Sequence, residues 1–157
     1  MASSSGQRIA DGLTPAALDR LGLSNALREP ADRLTGRLRV GVEFTPDPLP
    51  PLPAAVEVAV YLIGGEALNN VVRHSGADTA TVTVRVVPDR VTVEVSDDGQ
   101  GLPEHRTGSG VGLRSMEERA AELGGHFRTA NGAGGGAVLH ASFPPVAGPF
   151  PDGTETA

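Results

Sequence analysis

Glu66, Asn70, Arg73 and His74 lie at relative positions 0, 4, 7 and 8 of one stretch, "EALNNVVRH". On an α-helix that spacing gathers all four on one face. The side-chain oxygens of Glu66 and Asn70 are hard donors suited to Mg²⁺, an ion that keeps part of its water and bridges to phosphates. Arg73 could meet phosphate oxygens. The same residues would also serve as the solvated end of a core helix, and this stretch alone does not decide between the two. Farther along, "DDGQG" directly follows the strand-like "RVTVEVS". Asp97 is an acceptor at a strand end, and Gly99 and Gly101 leave bare backbone over which a flat ring can slide. The exocyclic amine of adenine is a suitable donor to that carboxylate, although an Asp-Gly pair taken alone is an ordinary turn. "GSGVGL" then opens a helix, and Gly108, Gly110 and Gly112 leave N–H groups exposed at its N-terminus, a geometry that favours phosphate. It does not follow a strand directly, as a dinucleotide fingerprint would, and it lacks the Gly-Lys-Ser/Thr of a P-loop.

The elements that must position these groups are readable from periodicity. Thr14 to Leu34 reads as a helix, with Thr14 as a cap, Pro15 in the first turn, and Gly22 and Pro30 as expected breaks or bends. Arg37 to Phe44 alternates as a strand, and the Pro-rich "TPDPLPPLP" connects it onward. Ala54 to Ser75 reads as a long helix whose apolar stripe, through Ala59, Leu62 and Ile63, turns polar at Glu66. Gly64 and Gly65 in its middle cost about 1 kcal/mol each relative to Ala, which predicts a bend or a close contact there. Thr79 to Val87 and Arg90 to Ser96 form a hairpin around Pro88-Asp89, Gly112 to Gly124 a helix, and "HFRTAN" with "GAVLHASF" a second hairpin around a glycine run. The pattern predicts an α+β sandwich with one mixed sheet and helices on one face.

The chain has 157 residues and 39% hydrophobic content, enough for one domain with a real core. No run reads as long enough to span a membrane and no signal-peptide core is visible, which places the chain in the cytoplasm, or makes it the cytoplasmic part of a membrane-anchored sensor. The absence of cysteine excludes disulfides and cysteine-ligated zinc. A net charge of -6 and only 3% aromatic residues argue against a nucleic-acid partner. There is no lysine, so any cation offered to phosphate must be Arg or His.

A polar helix face, a hairpin, DxGxG, a short loop, GxGxG opening a helix and a glycine-rich hairpin follow in that order. In this order the chain resembles the GHKL (Bergerat-fold) ATPases from Arg37 to Pro144. "EALNNVVRHSGA", "DDGQGL" and "GVGLRSMEERAAELGG" are further similar to the short-lid sensor histidine kinases of the NarL/DesK type. The resemblance implies a Bergerat-type sandwich with about five mostly antiparallel strands. It implies ATP and Mg²⁺, with Asp97 holding the adenine amine and Asn70 as metal ligand supported by Glu66. Arg73 and His74 would face the phosphates and the lid, Gly99, Gly101, Gly108, Gly110, Gly112 and Leu113 would line the nucleotide, and Leu102 to Thr107 would form the lid. Residues 1–13 are expected to be disordered or extraneous, 14–36 a helical connector resembling the end of a dimerisation region, 37–144 the ATP-binding domain, and 145–157 a flexible tail. The implied activity is transfer of the ATP γ-phosphoryl to a histidine on a dimerisation domain, in the same full-length protein or in trans, and onward to a response regulator.

Three departures stand out. Ala137 takes the place of a usual Thr near the adenine-binding carboxylate, and Gly64-Gly65 replace bulkier residues. No histidine precedes His74, so the phosphoacceptor is expected outside this chain, whether the chain is an excised or a stand-alone domain. His105, His126 and His140 are expected to be incidental or structural. A stand-alone anti-sigma-type serine kinase and a degenerate nucleotide-binding domain are the alternative readings.

Overall fold

A computed structural model describes residues 15–34, 36–101 and 111–144. Helix α1 (Ala16–Arg33) starts behind Pro15, so Pro15 precedes the helix instead of lying in its first turn, and Thr14 is outside the described residues. Gly22, with φ 81 and ψ 163, breaks α1 into two segments, as the sequence predicts, whereas Pro30 stays inside without ending it. After β1 (Arg39–Thr45) comes α2 (Ala54–Asn70), which continues as a single π turn over Val71–Ser75 and stops at Gly76 in the left-handed region. Strands β2 (Thr79–Val87) and β3 (Arg90–Asp97), helix α3 (Val111–Glu122), and strands β4 (His126–Asn131) and β5 (Ala137–Phe143) complete the order.

The sheet runs β1-β2-β3-β5-β4, with β1 and β2 parallel and the other neighbours antiparallel. This is the mixed, mostly antiparallel five-stranded sheet expected, with the helices over one face. Period-two alternation produces that face. Ala80, Val82 and Val84 of β2, Val91, Val93 and Val95 of β3, and Leu139, Ala141 and Phe143 of β5 are all buried. In register, Val82 faces Val95 and Val93 faces Ala141. The opposite face is polar, and a cross-strand row there runs Thr83, Glu94, His140, Arg128. His140 is half-buried on it, and burial, with Arg128 adding to the effect, pushes its pKa below the ordinary value.

Helix α2 is the middle of the core. By length and composition Ala54–His74 could cross a membrane, which corrects the expectation that no run is long enough. In this fold its residues Val56, Ala59, Val60, Ile63, Ala67 and Leu68 are buried in the same cluster as the sheet valines, with Leu18, Leu23 and Leu27 of α1 and Met116 and Ala120 of α3. The segment read as a connector thus contributes side chains to the core. Of the two outcomes expected at Gly64-Gly65, the structure shows the close contact. α2 runs on through both residues, and a Cβ on Gly64 would stand 3.1 Å from Leu27 Cδ2, so the bare glycine lets α1 lie against α2.

Gly65 behaves differently, because a Cβ there would meet nothing within 4 Å. Gly65→Ala should therefore stabilise the fold by up to about 1 kcal/mol through helix propensity. Gly64→Leu should destabilise it by about 1–3 kcal/mol by overpacking against Leu27. Urea unfolding of the two variants checks the contrast.

Candidate functional site

The inward row of β3 passes from Val91, Val93 and Val95 to Asp97, so the core face of the strand ends in a carboxylate. Asp97 is half-buried, and its Oδ1 accepts the Gly99 N–H at 2.7 Å. That two-residue turn fixes the carboxylate and leaves its remaining lone pairs for another donor. The β4–β5 turn lies directly on this loop. Gly136, at φ 77, is packed so that a Cβ would run into the Asp97 carbonyl oxygen and stand 3.0 Å from Asp98 Cα. Gly101, at φ 85, lies under Asn131, whose Oδ1 would be 2.9 Å from a Cβ there. Asn131 is also the register partner of Ala137.

The other half of the site is the polar end of α2. Arg73 Nη2 donates to Asn70 Oδ1 at 2.8 Å and lies 3.6 Å from Glu66 Oε2. These side chains are about a third to a half exposed, and such ion pairs contribute only about 0–1 kcal/mol, so the pairing orients more than it stabilises. The first turn of α3 closes on them: a Cβ on Gly112 would stand 2.5 Å from Glu66 Oε2 and 3.6 Å from Asn70 Oδ1. The missing side chain thus lets a helix N-terminus, an anion-favouring end, approach two hard oxygens. Asn70 Oδ1 and Glu66 Oε2 are hard oxygen donors suited to a divalent cation, which would compete with the Arg73 guanidinium for them. Among the described residues no three His, Cys, Asp or Glu side chains converge as a cage, so such a cation would rely on ligand oxygens and water, as Mg²⁺ commonly does.

The structure therefore brings Glu66, Asn70, Arg73 and Gly112 together, and sets Asp97, Gly99 and Gly101 in one loop. His74 joins through its backbone, where its carbonyl accepts Gln100 Nε2 at 3.0 Å, while its side chain is exposed. Leu113 is half-buried and packs on the core. Gly108, Gly110 and the expected lid, Leu102 to Thr107 with His105, lie outside the described residues.

Sequence reasoning missed Asp98, Gln100, Asn131 and Gly136. Asp98 Oδ1 accepts the N–H groups of Asp78 at 2.9 Å and Thr79 at 3.0 Å, and its own N–H donates to the Thr79 carbonyl at 3.2 Å. The Thr79 N–H, then the Thr79 hydroxyl, and the Asp78 N–H hold this exposed carboxyl below its ordinary pKa. The doubled aspartate was the available signal, because neighbouring strand residues point to opposite faces and cannot share one role.

The family described as histidine kinase-, DNA gyrase B- and HSP90-like ATPase matches residues 55–147. Sensor histidine kinase NarS of Mycobacterium tuberculosis is 34% identical over 72% of this chain and 27% of its own length. Sensor histidine kinase MctS of Rhizobium johnstonii is 35% identical over 88% of this chain and 31% of its own, and LiaS of Bacillus subtilis 31% identical over 84% and 37%. The chain spans roughly a third of the length of these relatives. Among solved structures, the histidine kinase domain of an Erythrobacter litoralis blue-light activated kinase superposes with TM-score 0.64 at 23% identity, covering 79% of this chain and 63% of that one. A nucleotide-free catalytic domain of histidine kinase ThkA gives 0.62 at 19%, covering 78% and 93%, so the fold is shared.

Two expected outcomes test this geometry. Because the Asp98 carboxyl is depressed in the folded state, its stabilising effect is present above the ordinary Asp value of about 3.9 and is lost as pH falls through the lower folded value. Acid unfolding followed between about pH 5 and pH 2 should be shallower in Asp98→Asn than in the wild type. Gly136→Ala should cost at least about 2 kcal/mol in urea unfolding, from both the positive φ and the collision with Asp97.

Proposed function

This chain belongs to the family of histidine kinase-, DNA gyrase B- and HSP90-like ATPases as an ATP-binding catalytic domain of the sensor histidine kinase type, and we propose from that premise how its site binds Mg-ATP and delivers the γ-phosphoryl. The observation that carries the reading is the approach of Gly112, at the start of α3, to Glu66 and Asn70, with the Asp97 loop at the end of the same sheet face. Asp97 accepts the adenine amine, with Gly99 holding its carboxylate and Gly101, at φ 85 beneath Asn131, shaping the turn that carries both. The first turn of α3, from Gly112 and Leu113 and with Gly108 and Gly110 before it, receives phosphate oxygens on its N–H groups. Asn70 would supply an oxygen to the metal and Glu66 would support it through water, while Arg73 and His74 border the phosphates. When bound, Mg²⁺ would supply positive charge that offsets what builds as the γ-phosphoryl departs.

Catalysis here is positioning and charge neutralisation. The bond from the γ-phosphorus to its bridging oxygen breaks, a bond to an imidazole nitrogen forms, and ADP leaves. The imidazole belongs to a dimerisation domain, in the same full-length protein or in trans, and a response regulator takes the group next. The reaction would proceed on the cytoplasmic side, where ATP is available.

Calorimetric titration should give Mg-ATP binding of roughly micromolar to millimolar strength, about 4–8 kcal/mol. GTP should compete poorly, because guanine presents a carbonyl oxygen to Asp97 where adenine presents an amine. Asp97→Asn should lose about 10- to 100-fold in affinity, the worth of a hydrogen bond to a charged acceptor, at unchanged unfolding midpoint. Asn70→Ala should spare metal-free ADP binding and remove most of the gain on adding Mg²⁺. Absence of binding heat or thermal shift at millimolar Mg-ATP would sink the reading.

A further inference from the structure

Asp97 and Asn70 belong to segments that are distant in sequence, and each leads into a turn. Asn70 is followed by the π turn, by Gly76 in the left-handed region, and by two residues before β2 begins. Asp97 is followed by Gly99 and by Gly101 at φ 85. Such backbone is costly to order and needs external fixing. Two side chains provide it. The Asp98 carboxylate spans to the Asp78 and Thr79 N–H groups, and Gln100 Nε2 spans to the His74 carbonyl inside the π turn, which belongs to the helix-end carbonyls that lack an intrahelical partner. The Asp98 N–H to Thr79 carbonyl bond closes the same seam.

We propose that Asp98 and Gln100 are positioning residues that fasten the Asp97 loop to the α2–β2 connection, and so set the spacing between the base-reading carboxylate and the metal-holding end of α2. This rests on the roles given above to Asp97 and Asn70. Strand alternation turns Asp98 away from the face that carries Asp97, and its oxygen is taken up by two backbone donors, so it acts through the loop and not on the nucleotide. Gln100 is exposed and bonds only to backbone among the described residues, so its amide likewise acts on the position of its neighbours. The two ties are independent in chemistry: one is a carboxylate accepting at the start of β2, the other an amide donating into the π turn. Either can be removed without touching Asp97, Asn70 or the core.

The test uses the full chain with Asp98→Ala and Gln100→Glu, the second being isosteric, exposed and unable to donate. Dissociation constants for ADP are measured by calorimetry in EDTA and in saturating Mg²⁺, and exchange of the Asp78 and Thr79 amides is followed by NMR. The expected result is that metal-free ADP affinity changes by less than about threefold in both variants, while the gain on adding Mg²⁺ falls by about tenfold. Exchange of the Thr79 amide should quicken in Asp98→Ala. A Mg²⁺ gain equal to the wild type in both variants overturns the proposal. So does an equal loss with and without metal, which would mean the ties merely hold the fold. A wild-type chain that binds ADP but gains nothing from Mg²⁺ overturns the proposal together with the metal role of Asn70, and leaves the base reading standing. A wild-type chain that binds no ADP overturns the reading of the whole site.

Discussion

Strand β3 turns its inward row from valine to carboxylate in a single step of its two-residue repeat: Val91, Val93, Val95, then Asp97. The three valines are fixed by burial against α2 and by register with Val86, Val84 and Val82 on one side and Phe143, Ala141 and Leu139 on the other. Because side chains alternate strictly, a slip of one residue would bury Thr92, Glu94 and Ser96 and expose the valines. The core therefore aims Asp97 into the space beside the helices and Asp98 out of it. Hydrophobic packing sets which aspartate can face a ligand, and no polar interaction is needed to make that choice.

Glycines at chosen contacts let separate backbones close on this row. Gly64 lets α1 rest on α2, Gly136 lets the β4–β5 turn rest on Asp97, and Gly112 lets α3 rest on Glu66 and Asn70. In each case the neighbour occupies space a Cβ would need. The three contacts differ in what yields. At Gly136 the obstacle is backbone at a positive φ, so the position is rigidly specified. At Gly112 it is the end of a flexible Glu side chain, so the approach of α3 can adjust by moving Glu66. On the proposed reading, that softness lies on the phosphate side of the site, where ligand and metal would be admitted, and the rigidity lies on the base side.

The parts of this arrangement legible in the sequence are those with a local period. β2 and β4 were bounded to the residue, β3 and β5 to within one, and the polar face of α2 appeared as Glu66, Asn70 and Arg73 at helical spacing. The two aspartates were visible, yet only Asp97 received a role, because the Asp98 partners lie 19 and 20 residues away in the chain and leave no periodic trace. Gln100 to His74 spans 26 residues and is hidden for the same reason. The change from α-helix to π turn after Asn70 also escaped, since Val71 and Val72 continue the apolar pattern and only Gly76 marks a stop. Asn131 was hidden because a strand end beside a glycine run reads as a turn, while its place over Gly101 depends on how the two hairpins stack. The sequence reads Ala54 to Ser75 as one long, mostly apolar helix, and a length and composition that would also suffice to cross a membrane are shared by the central helix of a packed core.

Charge decides how such a site can hold a polyanion. The chain carries a net charge of -6, which at a distance repels ATP. At physiological ionic strength the Debye length is about 8 Å, so the ligand in the cleft responds mainly to the groups within it. Among the described residues Arg73 and Glu66 face each other at 3.6 Å and largely cancel. Asp97, at the other end, is assigned to a neutral base, and its charge adds nothing attractive toward phosphate. Among the described residues, the N–H end of α3 adds a partial charge of roughly half a unit on this side. That is small against three phosphates, and an arginine shared with a carboxylate adds little. On the proposed reading, affinity for the triphosphate depends on the divalent cation that arrives with it, and Asn70, a neutral oxygen donor held by Arg73, contributes a ligand to that cation without adding a further negative charge beside the phosphates.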